Sequence, residues 1–404
     1  MDGDAAAVRT APSGTGVALV GLIALAIAQG IGRFAFTPIL PMMMHDAGVS
    51  VAGGGWLAAV NYLGYLAGSV SAMSPRARPR QAIHAGLVLI VITTIGMGLT
   101  HRFPAWVALR LLAGVGSAWV LIFVSAWCLQ RLAVVGRPLL NGVVFAGVGS
   151  GIAVAGTTCL ILMSANASAA DAWLCLGGIA LAATLGIWRP FGADHTQPID
   201  GHRRQDIDRP AWNREWMRIV LCYGTFGFAY IIPATFLPVM ARSAVADPRL
   251  FGWSWPIFGV AAALTPLAAA LWSDRFGSRR VLALAQIVMA IGVIVPVFWP
   301  GLGGIVVAAL LVGGTFMVAT MAGLQEARVL GGGHATVLMA AVTTAFGLGQ
   351  IVGPLAVSGL SGSDGNFSRP LLIAGASLVA SAIALVPGPS RPRCYTSRHL
   401  EGSR

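Results

Sequence analysis

Residues 81–100 read QAIHAGLVLIVITTIGMGLT. Twenty residues pass without an Asp, Glu, Lys or Arg. A helix of about 20 apolar residues spans the roughly 30 Å hydrocarbon core of a bilayer. Arg76, Arg78 and Arg80 stand just before this run, and a second run, 104–128, follows almost at once. The pattern repeats along the whole chain and yields twelve stretches of membrane length: 17–40, 54–73, 81–100, 104–128, 138–163, 171–188, 216–241, 250–272, 280–298, 301–325, 335–359 and 368–386. Backbone polar groups in lipid must be bonded internally, so each is expected to be a helix. Small-xxx-small spacings such as Gly64/Gly68 and Gly349/Gly353 suit close helix packing.

Composition agrees. Of the 404 residues 56% are hydrophobic and only 10% charged, against about 25% charged in an average soluble domain. Disorder, a coiled coil and an ordinary soluble enzyme are excluded. The net charge of +12 comes from Arg alone, since the chain has no Lys. These Arg are spread between apolar blocks and form no single basic face, so nucleic acid is not expected as a partner. The five Cys show no CxxC pair, and four sit inside apolar runs, which reads as small buried hydrophobes. No metal and no cofactor is expected.

Arg also sets the orientation. With the N-terminus in the cytoplasm, 20 Arg fall on the cytoplasmic side and 4 on the other, while Arg33 and Arg110 lie inside spans. Both termini are therefore expected inside. The N-terminal stretch 1–16, polar and mixed in charge, lacks the shape of a signal peptide. The longest connection, 189–215, reads as a cytoplasmic linker between six-helix halves at 17–188 and 216–386, and 387–404 reads as a cytoplasmic tail.

The halves overlay at an offset of 197 residues. Gly30 then meets Gly227, Pro41 meets Pro238, Met43 meets Met240, and Gly55-Trp56 meets Gly252-Trp253. Parallel repeats of six helices place a substrate site at their interface near mid-membrane. The expected fold is thus all-α and polytopic: twelve transmembrane helices in two pseudo-symmetric bundles.

Three local motifs add a resemblance. Asp274-Arg275-Phe276-Gly277-Ser278-Arg279-Arg280, between the eighth and ninth spans, is similar to the D-R-x-G-R-R loop of the major facilitator superfamily. The matching loop after the second span, 74–80, keeps Arg but has neither Asp nor Gly. Arg110 to Gly116 in the fourth span is similar to the superfamily's R-x-x-x-G-x-G pattern. More narrowly, Gly30-Ile-Gly32-Arg33-Phe34 through Pro38 and Pro41, with Tyr230 to Pro238 and Gly347 to Pro354, resembles the YbfB/YjiJ-type branch of bacterial transporters. The resemblance implies secondary transport by alternating access, a bacterial inner membrane, and a proton or solute gradient as the driver; a monomer is expected. It also implies that Asp274, Arg275, Gly277, Arg279 and Arg280 take part in a conformational gate. Glu326 and Arg328 follow the tenth span and offer a similar lock.

Charge inside the membrane is the sharpest site signal, because each charge costs at least about 2.5–3.5 kcal/mol. At 1.5 Å per residue, Arg33 lies about 24 Å from the cytoplasmic edge and Arg110 about 9 Å from the outer edge. Their depths nearly coincide, and no Asp or Glu lies well inside any span. A substrate carboxylate or phosphate can supply the missing charge through a bidentate guanidinium fork. The alternative is structural: Arg110 bonds helix carbonyls or snorkels outward, and Arg33 fixes a helix contact. Gln29 and Arg33 share a helix face, as do Asn61 and Tyr65, and Tyr223 roughly aligns with Tyr230. With Gln350, these are candidates to line a cavity or to bond between helices.

The functional expectation is a secondary transporter for a small molecule, with an organic anion as the substrate hypothesis and a proton as one coupling option. An exporter of a non-anionic drug or metabolite, a membrane sensor and a membrane-embedded enzyme are the competing readings. The enzyme reading lacks clustered His, Asp or Glu near a membrane surface. ATP hydrolysis by a P-loop is excluded, because that motif needs Lys.

Overall fold

The structure is a computed structural model. It describes residues 13–74, 76–191, 212–244, 254–360 and 368–386, without the side chains of 235–244, Ser254, Asp274 and 358–360. Among the described residues every regular element is helical. The first rod, α1, joins an α-helical Gly14–Leu25, a π-helical Ala26–Phe34 and an α-helical Phe36–Asp46. It is followed by α2 (Val51–Ala72), α3 (Pro79–Leu99), α4 (Phe103–Val135), α5 (Pro138–Ser164) and α6 (Ala169–Gly186). The second group comprises α7 (Arg214–Ala244), α8 (Ser254–Phe276), α9 (Ser278–Phe298), α10 (Leu302–Gly331), α11 (Ala335–Leu360) and α12 (Ser368–Leu385).

Local chemistry sets the ends. Pro opens α3 and α5 at positions where its missing N–H is not needed. Ser50 caps α2 by accepting from the Gly53 N–H, and Ser168 and Asp171 close a reciprocal capping box on α6. Gly277 starts α9 from a φ of 87°, a left-handed conformation that favours glycine.

Ten described helical stretches are long and apolar enough to cross a membrane. One of them, Leu302–Val357, contains both α10 and most of α11. The 22-residue α2 is not among them although it has no charged residue, because five Gly, an Asn and two Tyr dilute its hydropathy. Several rods outrun the apolar spans. Hydropathy marks the part of a helix in contact with hydrocarbon, whereas backbone hydrogen bonding continues past it. Glu326 and Arg328, which the sequence places in a connection after the tenth span, lie within α10 instead, which continues to Gly331. Most of the linker, residues 192–211, and the segments 1–12 and 387–404 lie outside the described residues.

Glycine lets these helices meet backbone to backbone. The repeat has a structural counterpart in one such pair. A Cβ on Gly30 would come within 2.4 Å of Gly151 on α5, and one on Gly227 within 2.3 Å of the Phe346 carbonyl on α11. Thus α1 meets α5, and α7 meets α11, at matching glycines. The two groups of six join along two seams. On one, Gly142, Gly149 and Gly156 of α5, seven residues apart, receive Pro266, Ala263 and Pro256 of α8, at 2.2–2.9 Å from a built Cβ. On the other, α2 meets α11, where Thr344 donates to the Ser69 hydroxyl at 3.1 Å.

Candidate functional site

The π-helical turn of α1 carries Gln29, Gly30 and Arg33, all buried. Such turns leave carbonyls available to outside donors and recur at functional sites. Here α4 supplies the donors. The Ser117 hydroxyl donates to the Ala28 carbonyl at 2.7 Å, and the Gln29 amide donates back to the Ser117 carbonyl at 2.9 Å. The Arg110 guanidinium donates to the carbonyls of Gly32 at 3.3 Å, Arg33 at 3.5 Å and, on α2, Leu57 at 3.5 Å. Its flat face lies 4.5 Å from the Phe36 ring centre. The structure therefore brings Arg33 and Arg110 together, with Arg110 bonded to backbone. Asn61 is held similarly, its amide donating to the Arg110 carbonyl at 2.9 Å.

Arg33 differs. Only 5% of it is exposed, and its guanidinium carbon sits 4.0 Å above the Tyr65 ring, with Tyr62 at 5.4 Å and Phe34 at 5.6 Å. Cation–π attraction to these faces holds a desolvated guanidinium in place. One terminal nitrogen, Nη2, donates to the side-chain oxygen of Gln350 on α11. Its Nε is buried and has no hydrogen-bond partner, and no described acidic residue forms an ion pair with it. An unpaired buried donor on a cation is costly. The arrangement is suited to receive an acceptor.

The second group of helices faces this point with aromatic rings. Tyr230 of α7 stacks on Phe316 of α10, centroids 4.6 Å apart, and Phe316 meets the edge of Phe34 at 5.7 Å. Phe346 of α11 lies 6.2 Å from Tyr230 and 5.6 Å from Tyr223. The Tyr223 ring lies against Gly323, where a Cβ would come within 2.2 Å of it. Of the residues singled out by sequence, Arg33, Tyr65, Gln350 and Tyr230 converge, Tyr223 lies one ring further, and Gln29, Asn61 and Arg110 bond backbone. Sequence reading missed Tyr62, Phe316 and Phe346. Tyr62 could have been found from its three-residue spacing to Tyr65; the two Phe carry no signal beyond being aromatic.

At the Arg-rich end, the gate-like loop is built into a charge cluster. Arg279 donates from Nε to Glu326 of α10 at 2.9 Å and from Nη2 to Glu215 of α7 at 2.6 Å. Ser278 donates to Glu326 at 2.6 Å, and Arg218 to Glu215 at 2.6 Å. Arg280 is exposed, and Arg275 lies 5.6 Å over the Phe276 ring. The Asp274 side chain lies outside the described residues. A cavity of about 430 Å³ opens here between the two groups, lined by Arg137, Asn141, Arg279, Glu326 and Arg328 among others.

A family model described as "Uncharacterised MFS-type transporter YbfB" matches residues 25–386. A probable transporter of Streptomyces coelicolor, SCO4007, is 26% identical, covering 95% of this chain and 92% of its own. Among solved structures, the human organic anion transporter MFSD10 (TETRAN) superposes with a TM-score of 0.69 at 15% identity, over 93% of this chain and 100% of that one. At that identity the likeness concerns the fold alone.

Proposed function

The chain belongs to the MFS-type transporter family whose model spans residues 25–386, and from that premise we propose that it is a secondary active transporter for small molecules bearing an acid group, bound at Arg33. It acts by alternating access across a bacterial inner membrane. The Arg asymmetry supports a cytoplasmic position for both termini. One observation carries the substrate chemistry: a guanidinium between the two helix groups is buried, has an unpartnered Nε, and has no ion-pair partner among the described residues. A carboxylate offers two oxygens in the geometry of a guanidinium edge, and its charge offsets the desolvated cation. The aromatic rings of Tyr65, Tyr230 and Phe316 suit an apolar body attached to that acid. The gate residues Asp274, Arg275, Gly277, Arg279 and Arg280 are assigned to the cytoplasmic closure of the second bundle.

Proteoliposomes on a solid-supported membrane test this. Organic acids such as benzoate are expected to displace charge on addition, and benzylamine is not. Responses to the amine alone would refute the reading.

A further inference from the structure

The contact between Arg33 and Gln350 joins a residue of the first six helices to one of the last six, and it occupies only part of the guanidinium edge. In arginine, the Nε–H and one N–H of Nη2 lie on the same edge and point the same way, which is the fork that accepts a carboxylate side-on. Gln350 places its single side-chain oxygen on Nη2, the nitrogen that carries one of the two donors of that edge. The neighbouring Nε remains buried without a partner. Gln350 is itself 1% exposed and Arg33 5%, so both groups are buried.

We propose that Gln350 is a built-in stand-in for the acid group of the substrate: its side-chain oxygen holds the Arg33 edge while the carrier is empty, and an incoming acid displaces it. This rests on the acid-site reading given above and adds a residue with a defined role to it. The physical need is clear. An empty carrier that closes around Arg33 without an acceptor strands a desolvated cation between two aromatic surfaces. A neutral amide oxygen meets part of that need and leaves no fixed negative charge to compete permanently with substrate. A carboxylate takes both donors of the edge and brings charge, so it wins the exchange. Gln350 then swings off the edge, and the link between α1 and α11 passes through the bound acid.

The role separates from a merely structural contact by its sign. Loss of a structural hydrogen bond leaves ligand affinity unchanged or weakens it, whereas loss of a competitor strengthens it. The full chain in nanodiscs is titrated calorimetrically with acetate, benzoate and methylphosphonate. Gln350→Met keeps the length of the side chain and removes the acceptor. The acid that wild type binds best is expected to bind about tenfold tighter, because the occupied fraction of the site no longer has to be vacated. Gln350→Glu supplies a permanent carboxylate and is expected to bind none of the three. Arg33→Gln is also expected to bind none.

Unchanged or weaker affinity in Gln350→Met, with binding still lost in Arg33→Gln, overturns the stand-in and leaves the acid site intact. If Gln350→Met does not fold, Gln350→Glu decides: acid binding like that of wild type overturns the stand-in. Acid binding by Arg33→Gln as strong as by wild type overturns the acid site. Binding of none of the three acids by any form, wild type included, overturns both.

Discussion

Arg33 of α1 and Gln350 of α11 lie 317 positions apart in the chain and share a hydrogen bond between the two helix groups. Around that bond the groups contribute unlike surfaces. The first brings the cation with Tyr62 and Tyr65 beneath it. The second brings a neutral amide and a wall of stacked rings. Charge is thus confined to one side of the proposed acid site.

The fork of Arg33, as well as its charge, is expected to matter. Arg33→Lys keeps the cation and loses the parallel donors. In the charge-displacement assay it should retain less than about a tenth of the response to organic acids, as expected for the loss of a charge-assisted bidentate contact. Arg33→Gln should abolish the response. A normal response in the Arg33→Lys variant would show that charge alone recruits the ligand.

Arg110 is expected to behave as a structural residue. Its three backbone acceptors lie on α1 and α2, so Arg110→Met leaves the carbonyls of Gly32, Arg33 and Leu57 without that donor. The cost should be about 2 kcal/mol or more, with Ser117→Ala costing about 1 kcal/mol on the same helix pair. Thermal unfolding in nanodiscs measures both. Wild-type stability in Arg110→Met would contradict the assignment.

These two arginines also show how far sequence carries. Helix rise alone put their depths close together, and Arg110 does reach the Gly32 and Arg33 carbonyls. What separates them is which donor edge already has an acceptor, and that depends on the π-helical turn, which has no periodic signature. The order of the described helices was legible because bilayer thickness fixes span length. Helix ends were less so, as Glu326 within α10 shows, since hydropathy stops where lipid does. The aromatic wall was invisible for a related reason. In chains this apolar, Phe316 looks like any lipid-facing residue until packing turns it inward.

The α5–α8 seam should tolerate no side chain. A Cβ on Gly149 would come within 2.2 Å of the Ala263 backbone nitrogen, and backbone cannot step aside. Gly149→Ala is expected to lose about 1–3 kcal/mol by overpacking. Gly178→Ala on α6, with nothing within 4 Å of the new Cβ, should be neutral or slightly stabilising. Melting temperatures of the two variants give the comparison, and equal behaviour would contradict the seam.

Glu326 is 8% exposed and depends on Arg279 and Ser278 for its hydrogen bonds. Arg279→Leu removes the cation and leaves the carboxylate buried, with an expected loss of about 3 kcal/mol or more. Adding Glu326→Gln should restore part of it, because the stranded charge is gone. A double-mutant cycle in thermal unfolding measures the coupling, and additive losses would show that the two do not act as a pair.

The most direct measurement is a structure of the full chain with 4-bromobenzoate, in which the bromine marks the position and direction of the ligand. The carboxylate is predicted on the Nε and Nη2 edge of Arg33, with the ring against Tyr230 and Phe316. A ligand bound elsewhere while Arg33 keeps its present surroundings would contradict the account.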